Sequence, residues 1–229
     1  MIAPPVALVT GASRGIGRAI AEDLGRTHHV LVGGRDEAAV AEVVDSLPSA
    51  GPWIVDVRDS AALAASLQEV PQIDVLVHSA GIANQKPFDQ ISRDEWRDSF
   101  EVNVFGVAEL TRLALPSLRS SKGIVVFLNS GSGLFSYPGG TLYSATKFAL
   151  RTLADSLREE ERAAGVRITS IHPGFVDTAM GRQSREVSGA VYDPDYYVPV
   201  EAIAAGVRVA VDAPVQAQVE MMSIRPSKR

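Results

Sequence analysis

The chain has 229 residues, 46% of them hydrophobic and 21% charged, with a net charge of −5 and no cysteine. That balance fits one globular domain over residues 1–229 with a sizeable core. It excludes disulfides, thiol catalysis and zinc–thiolate sites, and the scattered lysines and arginines leave no basic footprint for nucleic acid.

The opening "MIAPPVALVTGAS" has no basic region, and its apolar run stops at Thr10-Gly11, so it reads as a first strand and not a leader. Further strands are expected at 29–33, 53–57, 74–78, 124–129, 167–173 and 218–224. Helical patterns fall between them at 15–25, 37–47, 60–69, 93–119, 143–164 and 200–211. Strand–helix alternation of this kind predicts an α/β fold, a Rossmann-like doubly wound parallel sheet between two helix layers. The stretch 178–199 is the least patterned and reads as a substrate flap. No apolar run approaches a membrane span, so the expected location is the cytoplasm. The histidines His28, His29, His78 and His172 lack a ligand spacing, and no metal is expected.

Directly after the first strand comes "TGASRGIGRAI", with Gly11, Gly15 and Gly17 opening a helix. Glycines let the backbone turn tightly and approach a pyrophosphate, and the helix N-terminus attracts the anion. The context of strand, glycine turn and helix points to dinucleotide binding. The second strand ends "VGGRDE". Arg35 there and Arg14 in the glycine turn suit a 2′-phosphate, which favours NADP(H) with NAD(H) as the alternative. Asp36 and Glu37 read as the cap and first turn of the next helix. Asp56, ending "IVD", is placed to bond adenine, and Ala80 and Gly81 leave room for a ribose. His78 is read as a satisfied structural histidine.

Ser130 and Ser132 close the fifth strand in "LNSGSG". Asn103 is the one polar member of an apolar seam at Trp96, Phe100, Val107, Leu110 and Ala114. In "TLYSATKFAL", Tyr143 and Lys147 sit one helical turn apart on one face. Together, "TGASRGIG", "NSGSG" with Ser130 thirteen residues before Tyr143, "YSATK" and "HPGFVDT" resemble the short-chain dehydrogenase/reductase family, in its short single-domain branch.

The resemblance implies an oxidoreductase that interconverts a small ketone or aldehyde and its alcohol. Tyr143 would be its acid/base, Lys147 the partner, Ser130 the polarising hydroxyl and Asn103 a link in a proton relay. It implies cofactor contacts at Gly11, Ser13, Arg14, Gly15, Ile16, Gly17, Arg35, Asp56, Val57, Ala80, Gly81, Tyr143, Lys147, Pro173, Gly174, Val176 and Thr178. It also implies a homodimer or homotetramer. The chain departs from the family at His78-Ser79, where an asparagine pair is usual. A non-catalytic cofactor-binding regulator and a 3-oxoacyl-carrier-protein reductase are the competing readings; the filled catalytic positions and the ending "VEMMSIRPSKR" count against them.

A phenol ionises near pH 10, and a nearby ammonium can lower that value by roughly 1–3 units. Lys147 is therefore expected to tune Tyr143 toward the operating pH. Ser132, Leu134, Phe135, Tyr137, Phe175 and Met180, with Tyr192, predict a mostly apolar or aromatic substrate pocket.

Overall fold

The computed structural model describes residues 3–187 and 193–227. Strands β1 (Val6–Thr10), β2 (His29–Gly34), β3 (Ala50–Ile54), β4 (Val75–His78), β5 (Ile124–Leu128), β6 (Arg167–Pro173) and β7 (Met221–Ile224) form one sheet. Their order is β3-β2-β1-β4-β5-β6-β7, and every pairing is parallel. The chain reverses direction across the sheet between β1 and β4. The crevice outside the carboxyl ends of the strands therefore opens there.

The strands are continuous apolar runs because both faces are covered. Successive side chains point to opposite faces. Leu8, Leu76, Val125, Phe127 and Ile168 pack on one side with Leu63 of α3 (Ser60–Gln68), Leu110 and Leu118 of α5 (Gly106–Ser121) and Leu150 of α6 (Thr141–Glu161). Their neighbours Val9, Val77, Val126 and Ile171 pack on the other. There they meet Ile20 and Leu24 of α1 (Gly15–Leu24), Val40 and Val43 of α2 (Glu37–Ser46), and Ile203 and Val207 of α8 (Val200–Val211). Arg208 of α8 reaches Asp23 of α1 at 2.7 Å and ties the ends of the second layer together.

Several boundaries differ from expectation. β3 starts three residues before the expected 53 and ends at Ile54, not 57. Gly51 and Pro52 look like a turn in sequence, but β3 is an edge strand, where a proline costs no interior ladder bond. The expected helix 93–119 is three segments: α4 (Arg93–Phe100), a π-helical turn at Glu101–Phe105, and α5. Within the expected flap, residues Ala179–Val187 form helix α7, whose first turn is capped by the Thr178 hydroxyl accepting from the Gly181 amide at 3.0 Å. Tyr192 lies outside the described residues. Asp36 caps α2 as expected, accepting from the Ala39 amide at 3.1 Å.

Candidate active site

At the carboxyl end of β1, Gly11 and Gly15 both have left-handed backbones, with φ of 63° and 56°. A side chain at either position would be strained. A Cβ on Gly17 would run into the Gly11 carbonyl, so only glycine lets α1 start this close to the turn. No side chain caps α1, which leaves its first amides open toward the crevice. Arg14, at the N-cap position, has no acidic partner among the described residues. Ser13 lies beside Gly34 at the end of β2, where its Cβ is 3.6 Å from the place a Cβ on Gly34 would take. The neighbouring Arg35 side chain is 65% exposed and only grazes Asp56, at 3.5 Å. This arrangement fits the adenosine and pyrophosphate end of a dinucleotide. Ile16 turns away from it and packs on the core.

Asp56 is not at a strand end but two residues beyond β3, in the loop toward α3. Its carboxylate is held by Arg58, through the backbone amide at 3.0 Å and the guanidinium at 2.6 Å. The Arg58 hydrogen bonds bring its pKa down to about 2. The next residue, Val57, turns its carbonyl against Gly106 at the start of α5. Past β4, the amides of Ser79 and Ala80 both donate to the Thr10 hydroxyl at 3.1 Å, which fastens this loop against the glycine turn. His78 stacks on Phe127 and bonds Thr111 at 2.8 Å. Burial pushes its pKa down to about 3, so it is a neutral structural group, as read from sequence.

Four strand ends and two helices deliver the remaining groups. One turn of α6 places the Lys147 ammonium 5.7 Å from the centre of the Tyr143 ring. Ser130, at the tip of β5, hydrogen-bonds the Tyr143 phenol. Its oxygen also accepts from the Ser132 amide at 3.1 Å. Asn103 is 1% exposed and sits in the π-helical turn. Its amide accepts from the Ile82 amide at 2.9 Å and donates to the Ile82 carbonyl at 2.9 Å and to Thr146 at 3.1 Å. It thus clips the loop after β4 to α6. A Cβ on Gly81 would lie 3.2 Å from the Asn103 oxygen and 4.0 Å from the Lys147 nitrogen, so this glycine leaves a hollow over both. Lys147 spends one of its three N–H bonds on the Leu128 carbonyl, at 2.9 Å. Two have no partner among the described residues.

The electrostatics differ from expectation. Burial pushes the Tyr143 pKa up to about 12, although part of the ring still faces the cleft; the Ser130 bond pulls the other way, and the nearby Tyr137 phenol adds to the rise. Burial likewise brings Lys147 down to about 8. In the cofactor-free chain the ammonium does not lower the phenol, because it faces the ring and the Leu128 carbonyl.

Sequence reading missed two residues here. His172, fully buried on β6, faces the Ser130 carbonyl at 2.9 Å through Nδ1 and the Ser170 hydroxyl at 2.9 Å through Nε2. A carbonyl only accepts, so Nδ1 carries the proton, and the ring fixes the backbone of the serine. A polar residue closing an apolar strand was the available signal. The second is Arg225, just past β7, whose guanidinium lies 4.7 Å from the centre of the Phe135 ring.

At the end of β6, the Gly174 amide donates to the Ile224 carbonyl at 2.8 Å, so Pro173 and Gly174 are held where β6 meets β7. Thr178 touches the glycine turn: its methyl lies 3.4 Å from the position of a Cβ on Gly15. Val176 is buried and joined to Val198 by a bridge. Of the expected pocket residues, Ser132 is buried, and Tyr137 accepts from Gln85 at 2.9 Å and from Ser132 at 3.5 Å. Leu134 is half-buried, whereas Phe135, Phe175 and Met180 are exposed. Among the described residues no helix is long and apolar enough to cross a membrane, and no cluster of acidic residues and histidines is placed to hold a metal.

The model of the short chain dehydrogenase family matches residues 5–188. The chain belongs to the short-chain dehydrogenase family. It is 33% identical to an uncharacterised oxidoreductase of Staphylococcus saprophyticus, over 96% of this chain and 97% of that one. It is 34% identical to the serine 3-dehydrogenase of Agrobacterium fabrum, over 75% of this chain and 72% of that one. Among solved structures it resembles an alcohol dehydrogenase from the archaeon Thermococcus sibiricus, complexed with 5-hydroxy-NADP. That match has a TM-score of 0.88 and 28% identity, and covers 98% of this chain and 97% of the other. As an oxidoreductase of this family, the chain has a fold that holds a nicotinamide dinucleotide.

Proposed function

We propose that this protein interconverts a small ketone or aldehyde and the corresponding alcohol, with NADP(H) preferred over NAD(H). The observation that carries the reading is the Tyr143 phenol, bonded by Ser130 and backed by Lys147. The bound nicotinamide supplies a hydride in one direction and accepts it in the other.

The side chains handle the oxygen and its proton. Ser130 donates a hydrogen bond to the carbonyl oxygen, where negative charge grows during reduction. Tyr143, protonated at neutral pH with a pKa of about 12, gives its proton to that oxygen. The two uncommitted N–H bonds of Lys147 hold ribose hydroxyls and so fix the nicotinamide against Tyr143. Asn103 keeps α6 and the loop after β4 in register, and a water over Gly81 beside Asn103 and Lys147 returns the proton from solvent.

NADP(H) is supported by Arg14, which lacks an acidic partner among the described residues, and by the exposed Arg35, which follows Gly34 where Ser13 lies. The alcohol dehydrogenase neighbour, titled as complexed with 5-hydroxy-NADP, fits the same reading. Asp56 would reach adenine with whatever bonding capacity Arg58 leaves it. Exposed Phe105 and Phe148, in the π turn and on α6, support pairing with copies of the chain as a homodimer or homotetramer. The stretch 178–199, with α7, would cover the bound substrate.

The test is NADPH and NADH oxidation with a panel of ketones and aldehydes, run beside Tyr143→Phe. Turnover in the parent and its loss in the variant are expected. A fully active variant would overturn the assignment.

A further inference from the structure

Arg225 follows β7 directly, at the same edge of the sheet as Ser130. Its Cα and Cγ lie 3.3 and 3.4 Å from the position a Cβ on Gly174 would occupy. Its Nη2 lies 3.6 Å from the corresponding position on Gly131, the residue after Ser130. The side chain therefore runs from the turn at Gly174 to Gly131, the residue after the serine. On the way its guanidinium lies over the Phe135 ring, at 4.7 Å. No carboxylate of the described residues pairs with it. Phe135 is itself 46% exposed, so the pair faces open space.

A cation resting on an aromatic ring, beside the residue that follows Ser130 and without a carboxylate partner among the described residues, is preorganised for an anion brought by the substrate. Guanidinium presents paired donors that match a carboxylate in two parallel bonds. The absence of a side chain at Gly131 and Gly174 makes room for the arginine and for Phe135 where they lie. The rest of the site cannot supply this recognition. The Lys147 ammonium is buried on the Leu128 carbonyl, and Arg14 and Arg35 lie at the other end of the crevice, by the glycine turn.

We infer that Arg225 reads a carboxylate on the substrate, so that the preferred substrates are short oxo acids and hydroxy acids whose reacting carbon lies close to the carboxyl group. This rests on the oxidoreductase reading above.

The test compares reduction of 3-oxobutanoate with reduction of its methyl ester, which removes only the charge, in the parent, Arg225→Gln and Arg225→Lys. The parent is expected to favour the acid. The acid-to-ester ratio of kcat/KM should fall by about tenfold or more in Arg225→Gln, through the KM of the acid, and recover in part in Arg225→Lys. An unchanged ratio overturns the inference, as does a rise confined to the KM of NADPH, which would assign Arg225 to the cofactor. Calorimetric titration of malonate into the NADP-saturated protein separates this result from the broader reading. Malonate binding that weakens about tenfold in Arg225→Gln upholds the recognition even where no carbonyl is turned over. Absence of malonate binding to the parent overturns it even where ketones are reduced.

Discussion

The Lys147 ammonium stands over the face of the Tyr143 ring, 5.7 Å from its centre, and is anchored by the Leu128 carbonyl at 2.9 Å. The charge thus faces the ring, not the hydroxyl, and burial decides the protonation of both groups. Tyr143 is raised to about 12. In a spectroscopic titration of the protein without added cofactor, the Tyr143 phenol should resist ionisation to about pH 12, and Tyr143→Phe should remove that late step. If the variant and the parent titrate alike, the phenol is not buried as described.

In the proposed reaction, turnover depends on the same hydroxyl. Tyr143→Phe should lower kcat by about 10²–10⁴-fold, the usual worth of a positioned acid/base, with the Kd of NADPH within a few-fold of the parent. Ser130→Ala should cost about 10²–10³-fold, as loss of one donor to a developing oxyanion does. Steady-state kinetics with fluorescence titration of NADPH reads both effects.

Cofactor choice should follow the arginines at the glycine turn. Arg14→Ala should raise the KM for NADPH by about tenfold or more and leave NADH nearly unaffected, because only the phosphate is lost as a partner. Arg35→Asp should shift preference further toward NADH. An unchanged NADPH-to-NADH ratio in both variants would place the phosphate contact elsewhere.

Acid should weaken the fold through its buried imidazoles. Burial lowers His78 from 6.5 to about 3, so the folded state refuses a proton that the unfolded chain accepts. Its contribution to stability is complete above pH 6.5 and is lost as pH falls toward 3. Across that window one such group removes up to about 1.4 kcal/mol per pH unit. Burial shifts His28 and His172 in the same direction, so His78→Asn should flatten the dependence and not abolish it. Urea unfolding at a series of pH values measures the slope.

The Asn103 clip should be needed for stability as well as for turnover. Asn103→Ala leaves the Ile82 amide and the Thr146 hydroxyl without their partner. A cost of about 2–4 kcal/mol is expected, visible as a fall of several degrees in Tm. A variant with unchanged Tm would show that water replaces the amide.

Local sequence determined the layered α/β fold. Apolar runs of β-branched residues can only be strands covered on both faces, and the alternating helices supply the cover. The glycine turn, the Tyr143–Lys147 pair and the serines after β5 were legible because each depends on a short spacing along one element. What tertiary structure decided involves distant partners. The edge position of β3 made room for Pro52, and the contacts of Asn103 with Ile82 and Thr146 lie in segments far along the chain from it. His172 supports Ser130 only because β5 and β6 are neighbours in the sheet. Arg225 comes up to Gly131 only because β7 ends beside β6, a juxtaposition that no spacing in the sequence records. Burial, which reversed the expected effect of Lys147 on Tyr143, is a property of the packed site, since the water each group loses is displaced by residues from several elements at once.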